Sequence, residues 1–158
     1  MVVLDFSSSI LSNLKDGNVH GFIVAIGDNS IREKIFYLAL SAGLEPINVI
    51  SNKAIINDDV NIGRGVIICP GVILSHGVSI GNNVILDPSV VVDVNSNIGD
   101  HCYFYPGGVI CGGCTLEKNV TVGAGAIITP SIRIGKNIFV PPGTSVTEDI
   151  EGLFKKEL

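Results

Sequence analysis

Three histidines, His20, His76 and His101, are the chain's candidate proton acceptors. An imidazole oriented by a carboxylate can take the proton of an attacking hydroxyl or amine. His76 has such a carboxylate if the chain is built of stacked hexads, three to a turn, because Asp93 lies three hexads after Ser75 and so neighbours His76 across one rung. The alternative for His76, a histidine in a surface turn, stays open. His101 falls among Asn83, Asn119 and Asn137 at positions that favour residues tolerating positive φ, so a turn role suits it better. His20 precedes Gly21 at the mouth of the first strand and is assigned no role beyond contact with substrate. Cys111-Gly112-Gly113-Cys114 is a lone Cys-x-x-Cys. Structural zinc needs four ligands and a redox pair needs a helix N-terminus, so packing explains these cysteines and no metal is expected.

The elements that would position these residues come from a repeat. From Ala54 to Asp149 the sequence divides into 16 blocks of six without insertion. The third position is apolar throughout, from Ile56, Ile62 and Ile68 to Ile134, Val140 and Val146, and the first is mostly Val, Ile, Ala or Cys. Inward residues at positions one and three make a short strand, and Gly, Asn, Pro and Asp at positions four to six make a turn. A second period, of three hexads, is carried by Pro70, Pro88, Pro106 and Pro142 and by the Asn83, His101, Asn119, Asn137 corner. Three hexads per turn give a triangular parallel β-helix with equivalent residues about 4.8 Å apart between rungs. One apolar column only roughly offsets the ordering cost of the chain, so burial between subunits is a natural supplement. The third corner, Asp58, His76, Val94, Gly112, Pro130 and Glu148, varies most, which is where a site is built on a regular scaffold.

Residues 1–53 read as a partial α/β segment, 54–149 as the β-helix and 150–158 as a short tail or helix. Phe22 to Ile26 reads as a strand, Ser30 with Glu33 as a capping box, and Ile31, Ile35, Leu38, Ala39 and Ala42 as the apolar stripe of a helix ended by Gly43. Ile47 to Ile50 reads as a second strand, giving one βαβ unit with no glycine-rich phosphate loop before it. Val2-Val3-Leu4 is a weak strand. The chain has 158 residues, 46% of them hydrophobic and 16% charged, with 19 glycines and a net charge of −5. No apolar run reaches the roughly 18 residues of a membrane span. No basic stripe suits nucleic acid or an anionic membrane. The start lacks a secretory pattern, so a soluble, cytoplasmic protein is expected.

The Ile-Gly-x-x-Val hexads resemble those of the left-handed β-helix acyltransferases. The lead-in Ala25-Ile26-Gly27-Asp28-Asn29-Ser30-Ile31-Arg32 is similar to that of the NeuD-like sialic acid O-acetyltransferase and UDP-amino-sugar N-acetyltransferase family. The resemblance implies left-handed coiling and a homotrimer with clefts between subunits. It also implies transfer of acetyl from acetyl-CoA to a sugar or amino-sugar acceptor. Gly112 matches the family's oxyanion N–H donor, whereas the family's two histidine positions fall on Val94 and Tyr103. Within the acyltransferase reading, the expected site is His76 as base, Asp93 as its orienter and Gly112 as donor. Tyr103, Gly123 and Gly125 stand on the acetyl-CoA side. Tyr103 and Tyr105 can instead pack at a subunit interface, and Gly123-Ala124-Gly125 occupies ordinary turn positions. A catalytically degenerate trimeric scaffold or ligand-binding module is the alternative. A zinc-dependent γ-class carbonic anhydrase needs three converging histidines, and only His76 and His101 lie in the coil.

Overall fold

The computed structural model describes residues 21–152, so His20 and Val2-Val3-Leu4 lie outside the described residues. The hexads build two-residue strands at a constant spacing of six, from β3 (Val49–Ile50) and β4 (Ile55–Ile56) to β19 (Ser145–Val146). Each strand up to Ile127–Ile128 pairs in parallel with the strand three hexads further on, as in Ile73↔Val91 and Val91↔Val109. The result is a triangular coil whose three walls are parallel sheets of six, five and six strands. The chain enters the coil ahead of Ala54, because β3 already pairs with Ile67–Ile68.

The corners explain the turn residues. One residue in every six, from Gly65 to Gly143, has positive φ, and the non-glycine cases are Asn, Ser and His101. His101 sits at φ 62, close to Asn119 at 61, so it occupies the asparagine corner as its register requires. Position four has a different constraint. A Cβ on Gly81 would stand 2.7 Å from the Asp100 nitrogen, so glycine there lets successive coils close up. Between the corners, positions one and three fill the interior, with Val72, Leu74, Val90, Val92, Phe104 and Ile110 wholly buried.

The lead-in is one βαβ unit: β1 (Gly21–Phe22), α1 (Asn29–Ser41) and β2 (Glu45–Pro46), with β1 and β2 parallel. Its second strand lies earlier than the expected Ile47 to Ile50. Asn48 bonds Gly63 O at 2.8 Å and accepts from Val66 N at 2.9 Å, which hands the following residues to the coil. The N-cap of α1 is Asp28, whose Oδ1 accepts from Ile31 N at 2.9 Å, in place of the expected Ser30 and Glu33 box. Glu33 instead accepts from Asn119 Nδ2 on the coil at 2.7 Å. The buried stripe of α1 is Arg32, Phe36 and Ala39, while Ile31 and Leu38 are over two-fifths exposed. The helix is rotated from its apolar stripe because Arg32 docks on the coil.

Arg32 is fully buried and has no carboxylate partner among the described residues. Its guanidinium donates to Asn83 O (3.1 Å), Ile26 O (2.8 Å), Gly27 O (3.2 Å), His101 O (2.7 Å), Cys102 O (3.2 Å) and Asn29 Oδ1 (2.7 Å). Burial draws its pKa down to about 10, which leaves it charged at neutral pH.

His101 lies beneath the same helix, 1% exposed. Its Nδ1 is 2.8 Å from Asn83 Nδ2 and its Nε2 is 3.3 Å from the Tyr37 hydroxyl and 3.8 Å from Glu33. Burial holds its imidazole below the usual histidine range, against the opposing pull of Glu33 and Asp100 and with the repulsion of Arg32 and Lys118. The native state thus keeps the ring neutral where the unfolded chain would bind a proton. Its stability contribution is complete above the ordinary value of 6.5 and is lost as pH falls from there toward the lowered native value. Glu33, lowered by its Asn119 hydrogen bond, loses its contribution at lower pH, below its ordinary 4.5. The melting temperature is expected to fall between pH 7 and pH 5, and His101→Asn, matching the neighbouring corners, to flatten that slope. Parallel pH profiles for the two proteins would contradict this.

Candidate functional site

The variable corner stacks as its spacing requires. His76 O accepts from Asn95 N at 2.9 Å, Val94 O from Gly113 N at 2.8 Å, and Gly112 O from Ser131 N at 2.9 Å. His76, Val94 and Gly112 therefore form one column along an edge of the coil.

The His76 side chain is 73% exposed and its Nδ1 lies 3.1 Å from Asp59 Oδ1. The other oxygen of Asp59 accepts from Gly77 N at 3.0 Å, so one carboxylate fixes both the ring and the turn that bears it. In the tautomer that donates to this carboxylate the proton is on Nδ1, and Nε2 has no hydrogen-bond partner among the described residues. The sequence pointed to Asp93 on the following coil, whereas the carboxylate in contact with the ring is Asp59 on the preceding one. The signal was available, since Asp59 lies three hexads before Gly77. Asp93 makes no hydrogen bond to His76 among the described residues; its Oδ2 lies 3.5 Å from where a Gly112 Cβ would stand.

The remaining expected residues are placed apart from this dyad. Tyr103 stacks on Tyr105 with ring centroids 4.5 Å apart, lies against Gly27 and donates to Asp87 Oδ2 at 3.0 Å. Burial and then Asp87 push its phenol up to about 12. Gly125, at φ 63, is an open corner. A Cβ on Gly123 would collide with the Pro141–Pro142 backbone, so coil stacking accounts for that glycine. Cys114 is buried and donates to Thr129 O at 3.1 Å, and all four cysteines are free thiols. Burial pushes the Cys102 thiol up to about 12. A cavity of about 290 Å³ on the last coils, lined by Glu117, Arg133, Lys136, Asn137 and Glu151 among others, includes none of the expected site residues. Among the described residues no group of three His, Cys, Asp or Glu side chains is arranged to hold a metal ion.

No family model and no curated protein matches the chain. Solved structures do. PerB from Caulobacter crescentus, in complex with CoA and GDP-perosamine, is 29% identical with a TM-score of 0.87, over 90% of this chain and 69% of that one. A variant of perosamine N-acetyltransferase from the same organism, with the same two ligands, is 28% identical with a TM-score of 0.86, over 90% and 68%. WeeI from Acinetobacter baumannii AYE is 26% identical with a TM-score of 0.70, over 87% and 71%. The chain is similar in fold and sequence to acetyltransferases of the left-handed β-helix, hexapeptide-repeat type.

The chain's corner departs from the resemblance at two positions. At the two positions where the resemblance puts histidines stand Val94, 42% exposed, and Tyr103, half-buried under the lead-in. The exposed histidine of the column, His76, is one coil earlier.

Proposed function

We propose that the protein is an acyl-CoA-dependent acyltransferase that moves an acetyl group from CoA to a hydroxyl or amine of a sugar or amino-sugar acceptor. The likeness of nine-tenths of the chain to an N-acetyltransferase complexed with CoA and GDP-perosamine carries this reading. His76 is the base and Asp59 its orienter. Asp93 stands by Gly112 on the acyl side, and Tyr103, Gly123 and Gly125 belong to the coils along which CoA would lie. Val94 favours the alternative of a trimeric scaffold or ligand-binding module, since an exposed aliphatic residue stands where the resemblance expects a base. Incubation with acetyl-CoA and GDP-perosamine, followed by mass spectrometry of the sugar, tests the reading. An acetylated sugar supports the enzyme. CoA binding without product supports the alternative.

We further propose a homotrimer, located in the cytoplasm. The outward residues of the three walls differ. One wall is polar, with Asn61, Ser79, Asn97, Thr115 and Arg133. A second carries Ile67, Ile85 and Tyr103 and supports the lead-in. The third presents an aliphatic ladder, Ile55, Ile73, Val91, Val109 and Ile127, with Ile55 62% exposed. A ladder of this kind suits the same chain's neighbour in a closed ring. It also runs directly into the His76 corner, so such an interface would put the dyad at the rim of an intersubunit cleft. Val109→Asp is expected to convert trimers to monomers by multi-angle light scattering. A wild-type monomer would contradict the assembly.

A further inference from the structure

The three corners treat their position-five N–H groups differently. At one corner Pro70, Pro88, Pro106 and Pro142 have no N–H to satisfy, and Ala124 between the last two keeps one. At the asparagine corner side chains cap several: Arg64 N donates to Asn82 Oδ1 at 2.9 Å, Asn82 N to Asp100 Oδ1 at 2.6 Å and Lys136 N to Glu117 Oε2 at 3.3 Å. At the variable corner neither the Val94 nor the Gly112 N–H has an acceptor among the described residues. Two free donors therefore follow His76 along the same edge, one and two coils away.

Their distances from the base differ. Proton transfer needs about 2.6–3.2 Å between base and nucleophile, and a donor must sit about 2.7–3.1 Å from the oxyanion formed on the attacked carbon. Successive coils are about 4.8 Å apart, which puts Val94 about one spacing and Gly112 about 9.6 Å from His76 along the edge. Asp59 holds the imidazole from the preceding coil, the side away from Gly112. Val94 Cγ2 would stand 3.0 Å from a Gly112 Cβ, so the Val94 side chain lies against Gly112, which is partly buried.

We infer that the oxyanion donor that works with His76 is the backbone N–H of Val94, so that base and donor are adjacent corners of successive coils. This rests on the transferase reading above. His76 Nε2 accepts the proton as the acceptor oxygen or nitrogen bonds to the thioester carbonyl carbon. The Val94 N–H donates to the carbonyl oxygen as the π electrons move onto it. When the carbonyl re-forms, the carbon–sulfur bond breaks and His76 returns the proton to the departing thiolate. The products are the acylated acceptor and free CoA thiol.

Pro130 occupies the same corner position two coils after Val94, so the scaffold accepts proline there. Val94→Pro removes the donor and is expected to lower kcat by about 10²–10³-fold, with KM for acetyl-CoA and the melting temperature little moved. Val94→Ala keeps the N–H and the greater part of kcat. In that Ala background, which removes the Cγ2 atom crowding residue 112, Gly112→Pro is expected to cost far less than Val94→Pro. Loss of kcat in the Gly112→Pro variant with its fold intact would overturn the assignment even if Val94→Pro failed to fold. Full activity of both proline variants beside an inactive His76→Ala would overturn it while sparing the transferase. Absence of wild-type turnover would remove both.

Discussion

Replacing Arg32 by Met is expected to destabilise the protein by about 3–5 kcal/mol, because several buried carbonyls lose their donor at once and each unsatisfied group costs about 1–3 kcal/mol. The methionine fills part of the volume but leaves the carbonyls of Ile26, Gly27, Asn83 and His101 without a donor, while Cys102 O keeps Ile85 N. Those groups join the lead-in to two coils, so the loss also frees α1 from the wall it covers. For a domain of this size the melting temperature should drop by roughly 6–20 °C. Arg32→Lys should recover little, because an ammonium cannot span acceptors arranged around a planar fork. A melting temperature within a degree or two of wild type would show that the lead-in is held by other contacts.

The second large effect falls on activity and leaves the fold alone. His76→Ala is expected to lower kcat by about 10²–10⁴-fold, the usual contribution of a positioned general base. Its side chain is 73% exposed, so stability should stay within about 0.5 kcal/mol. Asp59→Asn should fall between wild type and His76→Ala, since it keeps the contact geometry and loses the charge that fixes the ring tautomer. Unchanged turnover in His76→Ala would remove the base from this corner.

The coil was legible in the sequence because its physics is periodic. The third-position column from Ile56 to Val146, the Pro-Gly corner and the asparagine corner each repeat a local steric requirement, and His101 could be placed by register alone. The lead-in was less legible. Its apolar stripe suggested burial of Ile31 and Leu38, but satisfying a buried guanidinium outweighed burying two aliphatic side chains, and the helix turned to present Arg32. The same docking took Glu33 from its expected cap to Asn119 and left the cap to Asp28. No pattern within α1 could show this, since the acceptors on the coil lie 51 to 70 residues further along the chain. At the candidate site the three-hexad spacing brought His76, Val94 and Gly112 into one column. It could not say which neighbouring coil supplies the carboxylate, because Asp59 and Asp93 both satisfy the arithmetic and only side-chain direction separates them.

The claim on which the rest depends is that this coil takes an acyl-CoA. Calorimetric titration of the purified protein with acetyl-CoA and, separately, with free CoA tests it directly. Saturable binding near one site per subunit is the expected result. No heat of binding for either compound at millimolar concentration would contradict it and leave the coil as a scaffold.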